Sequence, residues 1–69
     1  MTREQLIQFA TDYARANGWK VDDYTVADVQ THGKECLVSF TGKSKKPGDH
    51  FNVYLDCKTG TVLRLMPGR

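Results

Sequence analysis

Two histidines, two cysteines and a few aspartates are the side chains of this 69-residue chain that could carry out chemistry. His32 lies four residues before Cys36, and His50 directly follows Asp49, so a metal site or a Cys-His nucleophile has to be considered. The chain contains no compact ligand pair such as His-x-x-x-His or Cys-x-x-Cys. We therefore interpret both histidines as solvated turn residues and predict no metal site.

The aspartates Asp22, Asp23 and Asp28 are the candidates for acid-base catalysis. Such catalysis requires two carboxyl groups that converge on a pocket, and a single small sheet offers little concavity. We interpret Asp22 and Asp23 as the turn into a strand, where aspartate side chains bond the local backbone. Because no set of residues supplies a nucleophile, a base and an oxyanion donor together, we predict a protein that is not an enzyme and uses no cofactor.

Composition and charge predict one globular domain over residues 1–69. The chain has no apolar run near the ~20 residues that cross a bilayer and no apolar secretory segment at its start, so we expect no membrane contact and a cytoplasmic location. A net charge of +2 is too small to indicate nucleic-acid binding by itself. The inferred strand alternation allows a bond between Cys36 and Cys57, but for a cytosolic chain we expect free thiols.

An amphipathic helix is predicted at the N-terminus. Thr2 and Gln5 have the spacing of a capping box, and Asn17-Gly18 forms a stop signal with Gly18 in the left-handed C′ position. Trp19 is expected to anchor the returning chain. The apolar stripe at helical spacing, which we expect to pack on the sheet, consists of Leu6, Phe9, Ala10, Tyr13 and Ala14. The residues predicted to share one core are Leu6, Phe9, Tyr13, Val38, Phe40, Val53 and Leu55.

Four strands are predicted after the helix, because the apolar period changes to two and three glycine-containing turns interrupt it. We place the strands at Tyr24 to Gln30, Glu35 to Thr41, Phe51 to Cys57 and Thr61 to Met66. Short connections make consecutive strands antiparallel neighbours. The predicted fold class is α+β, with one N-terminal helix packed on a four-stranded antiparallel meander sheet.

Alternation along the strands assigns the two faces of this sheet. The residues expected to face the helix are Cys36, Val38, Phe40, Phe51, Val53, Leu55, Leu63 and Leu65. The first strand is ambiguous: it presents to the core either Tyr24 and Val26 or Ala27 and Val29, because a one-residue change in the His32-Gly33 turn exchanges the two sets.

The outer face is the most informative surface, because one helix cannot cover both faces of a sheet. Alternation places Leu37, Tyr54 and Val62 there, with Arg64 among the polar neighbours. An aromatic beside two aliphatics suits a partner or dimer interface, and it equally suits an ordinary half-apolar sheet face. A second candidate surface is the loop that carries Lys43, Lys45 and Lys46, which could meet phosphates or an acidic protein. We prefer to interpret these lysines as a solvated loop that opposes aggregation.

The segment from His50 to Leu63 carries a resemblance. A strand that ends in Asp56, a Lys58-Thr59-Gly60 turn and a strand that opens with Val62-Leu63 are similar to PepSY-type domains and to small bacterial immunity proteins described as NTF2-fold. The similarity covers roughly Phe51 to Arg69. It implies an inhibitory or immunity role through protein contact, without catalysis.

Two functions therefore remain open. The favoured one is a small bacterial or phage protein-binding module of the inhibitor or immunity type, with another protein or a second copy of the chain as its partner. The alternative is a nucleic-acid-binding domain in which Tyr54 stacks on a base while Lys43, Lys45, Lys46 and Arg64 supply charge.

Overall fold

The chain forms one helix and one four-stranded sheet, as predicted. A computed structural model describes residues 1–44 and 49–68. Helix α1 spans Arg3–Ala16, and a short 3₁₀ turn at Val21–Asp23 leads into the sheet. Its strands are β1 (Tyr24–His32), β2 (Glu35–Gly42), β3 (His50–Asp56) and β4 (Val62–Pro67). They are antiparallel and follow the order β1-β2-β3-β4, so the α+β meander is confirmed.

Both ends of α1 are fixed by the residues that the sequence indicated. The Thr2 hydroxyl accepts the Gln5 main-chain N–H at 3.2 Å, and the Gln5 side chain accepts the Thr2 N–H at 2.9 Å, which completes the capping box. At the other end Gly18 has φ of 89°. The Gly18 and Trp19 main-chain N–H groups donate back to Arg15 and Ala14, which is a Schellman closure.

The buried seam of α1 is narrower than the predicted stripe. Leu6, Ala10 and Ala14 are buried, whereas Phe9 and Tyr13 remain 42% and 37% exposed, so their placement in the core was wrong. Alanines at four-residue intervals let the helix approach the sheet closely, and at 100° per residue Phe9 is rotated by roughly 60–140° from these three residues. Phe9 instead lies over Gly60, in the turn before β4.

A bulge in β1 resolves the ambiguity of the first strand. Val26 pairs with Phe40 and Asp28 pairs with Ser39, so Ala27 is the extra residue. Tyr24 and Val26 face the helix before the bulge, and Val29 faces it afterwards. The first predicted inward set, Tyr24 and Val26, is therefore correct, and of the second set Val29 is correct but Ala27 is not, because Ala27 is the exposed inserted residue that reverses the alternation.

A second bulge changes the faces of β4. Tyr54 pairs with Arg64 but Leu55 pairs with Val62, so Leu63 is the extra residue. Val62 therefore packs against the core rather than on the outer face, and Leu63 is 49% exposed rather than buried. Both predictions were wrong for the same reason, since strict alternation fails at a bulge. Leu65 packs against the core as expected.

The core has an aromatic end and a disulfide end. At the aromatic end Phe51 contacts Phe40, Trp19 and Tyr24, with ring centroids 4.7, 4.2 and 4.9 Å away. The buried residues of the core are Leu6, Ala10, Ala14, Cys36, Val38, Phe40, Phe51, Val53 and Leu55.

At the other end, beneath the start of α1, Cys36 is bonded to Cys57, with a Cα–Cα distance of 5.1 Å. The expectation of free thiols was wrong. Cys36 pairs with Leu55, so Cys57 lies two positions further along the neighbouring strand. The Cys57 main-chain N–H donates to the Lys34 carbonyl at 3.0 Å, and this contact holds the chain beside β2 after β3 has ended.

Candidate protein-binding surface

Three side chains form a connected group at the centre of the outer sheet face, the face that α1 leaves open. Tyr54 on β3 pairs with Arg64 on β4, and the Arg64 guanidinium carbon lies 4.1 Å from the centroid of the Tyr54 ring. The Arg64 Nη2 atom lies 2.9 Å from Glu35 Oε1 on β2. Stacking on a ring and an ion pair together restrict a side chain that is otherwise free to rotate. The two side chains of the ion pair remain 48% and 43% exposed, so they are accessible to a partner.

Apolar side chains flank this group on both sides. Leu37 is the direct cross-strand neighbour of Tyr54 on β2, and both are half-buried. Met66 lies beyond Arg64 on β4, opposite Asn52, and is 49% exposed. Sequence reasoning overlooked Met66, although its spacing of two from Arg64 placed it on the same face. We name Glu35, Leu37, Tyr54, Arg64 and Met66 together the outer-face cluster.

Val62, which the sequence also placed on this face, lies on the opposite one. It is half-buried beside Leu55 and packs against the core. Met66 therefore replaces Val62 as the second aliphatic neighbour of the group, and the apolar part of the surface shifts along β4 toward Pro67.

Lys43, the described lysine of the loop, is separate from the outer-face cluster. Lys43 is exposed, and its main-chain N–H donates to the Asp23 carbonyl at 2.8 Å. Lys45 and Lys46 lie outside the described residues. The loop leaves the sheet at the Thr41–His50 pair, four residues from the Leu37–Tyr54 pair, which corresponds to roughly 13 Å along the strands.

The histidines and the remaining aspartates form local contacts. Along β1, Asp28 Oδ2 accepts the Gln30 amide at 2.6 Å, and Gln30 Oε1 lies 2.8 Å from His32 Nε2. His50 is at the far end of the sheet, where its carbonyl accepts the Gly68 N–H. Within residues 1–44 and 49–68 no group of three His, Cys, Asp or Glu side chains is arranged to hold a metal ion.

An open cleft of about 460 Å³ lies at the aromatic end of the core, between Trp19, Lys20, Tyr24 and Lys43. The Tyr24 hydroxyl donates to Asp49 Oδ1 at 2.8 Å, and the Ser44 hydroxyl donates to Asp49 Oδ2 at 2.9 Å. The hydrogen bond to Asp49, followed by partial burial, raises the pKa of Tyr24 above its ordinary value. Asp49 thereby ties the end of the lysine loop to the start of β1.

Both edge strands of the sheet, β1 and β4, carry features that oppose pairing with a further strand. On β1, Asp28 Oδ1 accepts the main-chain N–H of Val29 at 2.9 Å, beside the bulge at Ala27. On β4, a bulge at Leu63 and the proline at position 67, which has no N–H, interrupt the edge. Bulges, prolines and edge carboxylates are known devices against edge pairing. Strand addition at either edge is therefore not the expected mode of contact.

No protein family, curated protein or solved structure gives a match to this chain. The resemblance of the β3–β4 segment to PepSY-type and immunity proteins stays a prediction. In the described part of the chain, no helix has the length and apolar character needed to cross a bilayer.

Proposed function

We propose that this domain is a non-enzymatic protein-binding module of the inhibitor or immunity type, and that it binds its partner through the outer-face cluster. The observation that carries the proposal is the fixed arrangement of Tyr54, Arg64 and Glu35 on an otherwise uncovered sheet face. Tyrosine and arginine are the residues most enriched in binding hot spots. We propose no cofactor for this activity, because complementarity of surfaces is sufficient.

Preorganisation is the physical reason for choosing this cluster. A long side chain that becomes ordered on binding costs about 0.5–1.5 kcal/mol of entropy. Arg64 already contacts the Tyr54 ring and the Glu35 carboxylate in the folded protein. Much of its conformational entropy is therefore lost on folding rather than on binding. Leu37 and Met66 add apolar area on either side of this central group.

Nucleic-acid binding is the alternative, and two distances speak against it. The Arg64 guanidinium, 4.1 Å from the Tyr54 centroid, occupies one face of the ring on which a base would stack. Of the loop lysines that the structure describes, Lys43 lies beyond the Thr41–His50 pair, which is itself four residues from the Leu37–Tyr54 pair, so Lys43 does not adjoin the Tyr54 ring. We therefore retain this alternative only as an outcome of the experiment below.

The compartment in which the module works bears on the choice of partner. The sequence favours the cytoplasm, whereas a Cys36–Cys57 disulfide is typical of oxidising surroundings. Alkylation of free thiols in lysed source cells, followed by mass spectrometry, distinguishes the two. Bridged cysteines in the cell would replace the proposed cytoplasmic location with an oxidising compartment.

The proposal is tested by affinity capture with a matched pair of variants. Tyr54→Lys alters the outer-face cluster, and Tyr13→Lys makes the same change at an exposed tyrosine of α1, on the other side of the molecule. Each immobilised protein is incubated with extract of the source cells, with and without nuclease. We expect wild type and Tyr13→Lys to retain the same nuclease-resistant protein and Tyr54→Lys to lose it.

Two results would contradict the proposal. Equal capture by all three proteins would show that the outer-face cluster does not bind the partner. Capture that disappears on nuclease treatment, or on replacement of Lys43 by glutamine, would favour the nucleic-acid alternative.

A further inference from the structure

The Cys36–Cys57 disulfide lies at the base of open clefts rather than in a sealed core. One cleft of about 460 Å³ separates the start of α1 from the β1–β2 hairpin and is lined by both cysteines together with Arg3, Leu6 and Thr31. A second cleft of about 430 Å³ is lined by Lys34, Asp56, Cys57 and Lys58. Cys57 therefore borders both clefts.

The two cysteines are not equivalent. Cys36 is 3% exposed, whereas Cys57 is half-buried and lines both clefts. Cys36 Sγ also lies 3.6 Å from the Thr31 hydroxyl, which can donate a hydrogen bond to a departing thiolate. A nucleophile is therefore expected to attack Cys57 Sγ and to release the sulfur of Cys36.

The surroundings of Cys57 are positively charged. Arg3 lines the first cleft, and Lys34 and Lys58 line the second. The one acid among the lining residues of the two clefts is Asp56, whose Oδ1 accepts the main-chain N–H groups of Lys58 and Thr59 at 2.8 and 2.9 Å. Three cations against one carboxylate favour the approach of an anion and stabilise a thiolate.

We propose that Cys57 is a site of thiol–disulfide exchange with small anionic thiols, that is, thiols that carry carboxylate or sulfonate groups. The incoming thiolate forms a bond to Cys57 Sγ while the Cys36–Cys57 bond breaks, and the electron pair of that bond leaves as the Cys36 thiolate. The product is a mixed disulfide at Cys57. A second thiolate attacks the sulfur of the first thiol and releases the Cys57 thiolate, so the protein disulfide is reduced and two small thiols are oxidised to their disulfide.

The test compares an anionic and a neutral small thiol on the oxidised protein. 2-Mercaptoethanesulfonate and 2-mercaptoethanol are each mixed with the native chain at low ionic strength, and rates are expressed per thiolate. We expect the sulfonate to react roughly ten-fold faster, in line with electrostatic steering, and the difference to fall as salt is added. Acid quenching, digestion and mass spectrometry should find the adduct on Cys57.

Matched variants test whether the lysines of the second cleft cause the faster reaction of the sulfonate thiol. Replacing Lys34 and Lys58 by glutamine should remove most of the preference for the sulfonate. Replacing Lys20 and Lys43, which lie at the aromatic end, removes the same charge and should leave the preference intact. Both pairs are exposed, so both variants are expected to fold.

Three results would overturn the proposal. The first is an adduct found mainly on Cys36, and the second is an equal rate for the two thiols at low salt. The third is a rate that rises with denaturant as steeply as global unfolding does, because exchange would then require the unfolded chain. The proposal does not depend on the outer-face cluster, so it can fail while the proposed function holds.

Discussion

Gly60 shows how a single residue can be required for two reasons at once. Its φ of 78° lies in the left-handed region, and a Cβ atom there would come within 2.7 Å of Phe9 Cδ2 and 2.8 Å of Met1 Sδ. Gly33 has a similar φ of 64°, but a Cβ atom would meet nothing within 4 Å. A substitution at Gly33 therefore tests backbone strain alone, whereas the same substitution at Gly60 adds steric overlap.

We expect Gly33→Ala to lower the free energy of unfolding by about 1–2 kcal/mol, the usual cost of a left-handed non-glycine residue. Gly60→Ala should cost more than Gly33→Ala, because the Phe9 ring and the Met1 side chain must also move. Denaturant unfolding of the two variants measures the difference. Equal losses, or no partial recovery when Phe9→Ala is added to Gly60→Ala, would show that Phe9 does not lie on Gly60.

Asp56 makes stability depend on pH. The main-chain N–H groups of Thr59 and Lys58, which donate to its carboxylate, hold the pKa of Asp56 below its ordinary value of 3.8. A lowered pKa in the folded state stabilises the protein at pH values above 3.8, and this contribution is lost as the pH falls through the folded-state pKa. Asp56→Asn should therefore be destabilised at neutral pH and lose less stability than wild type on acidification from about pH 4.5 to pH 2. Parallel curves for the two proteins would contradict this account.

At the scale of the elements, α1 packs on the sheet through Leu6, Ala10 and Ala14. Its aromatic side chains lie beside this contact and remain partly exposed. Phe40 is 3% exposed in the core, whereas Phe9 is 42% exposed. We expect Phe40→Ala to cost about 3–5 kcal/mol, as for a buried phenylalanine. Phe9→Ala should cost about 1–2 kcal/mol, because much of its surface already meets water. A loss for Phe9→Ala equal to that for Phe40→Ala would restore the original prediction that both belong to the core.

The sequence predicts the elements well because their signals are local. The capping box at Thr2 and Gln5, the stop at Gly18 and the glycine turns each act within a few residues. The two bulges carry no such local signal. Ala27 and Leu63 are extra residues only in relation to the opposite strand, so the faces of β1 and β4 could not be read from alternation alone.

The same limit explains the errors at the candidate surface. Leu37, Tyr54 and Arg64 lie on regular stretches of strand and were placed correctly on the outer face. Val62 lies on the other side of the bulge at Leu63, so its predicted position on the outer face was wrong. The contact of Arg64 with Glu35 joins β4 to β2 across β3, a pairing that appears only once the register of three strands is known.

For the whole molecule, the disulfide is a major source of stability in a chain this short. It joins residues separated by 21 positions, and closing such a loop in the unfolded chain contributes about 3 kcal/mol. We expect the Cys36→Ala/Cys57→Ser double variant to unfold about 3 kcal/mol more easily than the oxidised protein. Comparison of both proteins in reductant is the control, since their stabilities should then converge. A gap that persists in reductant would assign the loss to packing of Cys36 instead.

The central claim concerns the face of the molecule that α1 leaves open, and photo-crosslinking in the source cells tests it most directly. p-Benzoylphenylalanine is introduced either at Tyr54, within the outer-face cluster, or at Tyr13, on α1. We predict a nuclease-resistant crosslink to a discrete protein from position 54 and none from position 13. A crosslink from position 13 alone, or a crosslink from position 54 only to nucleic acid, would contradict the assignment of the outer face as a protein-binding surface.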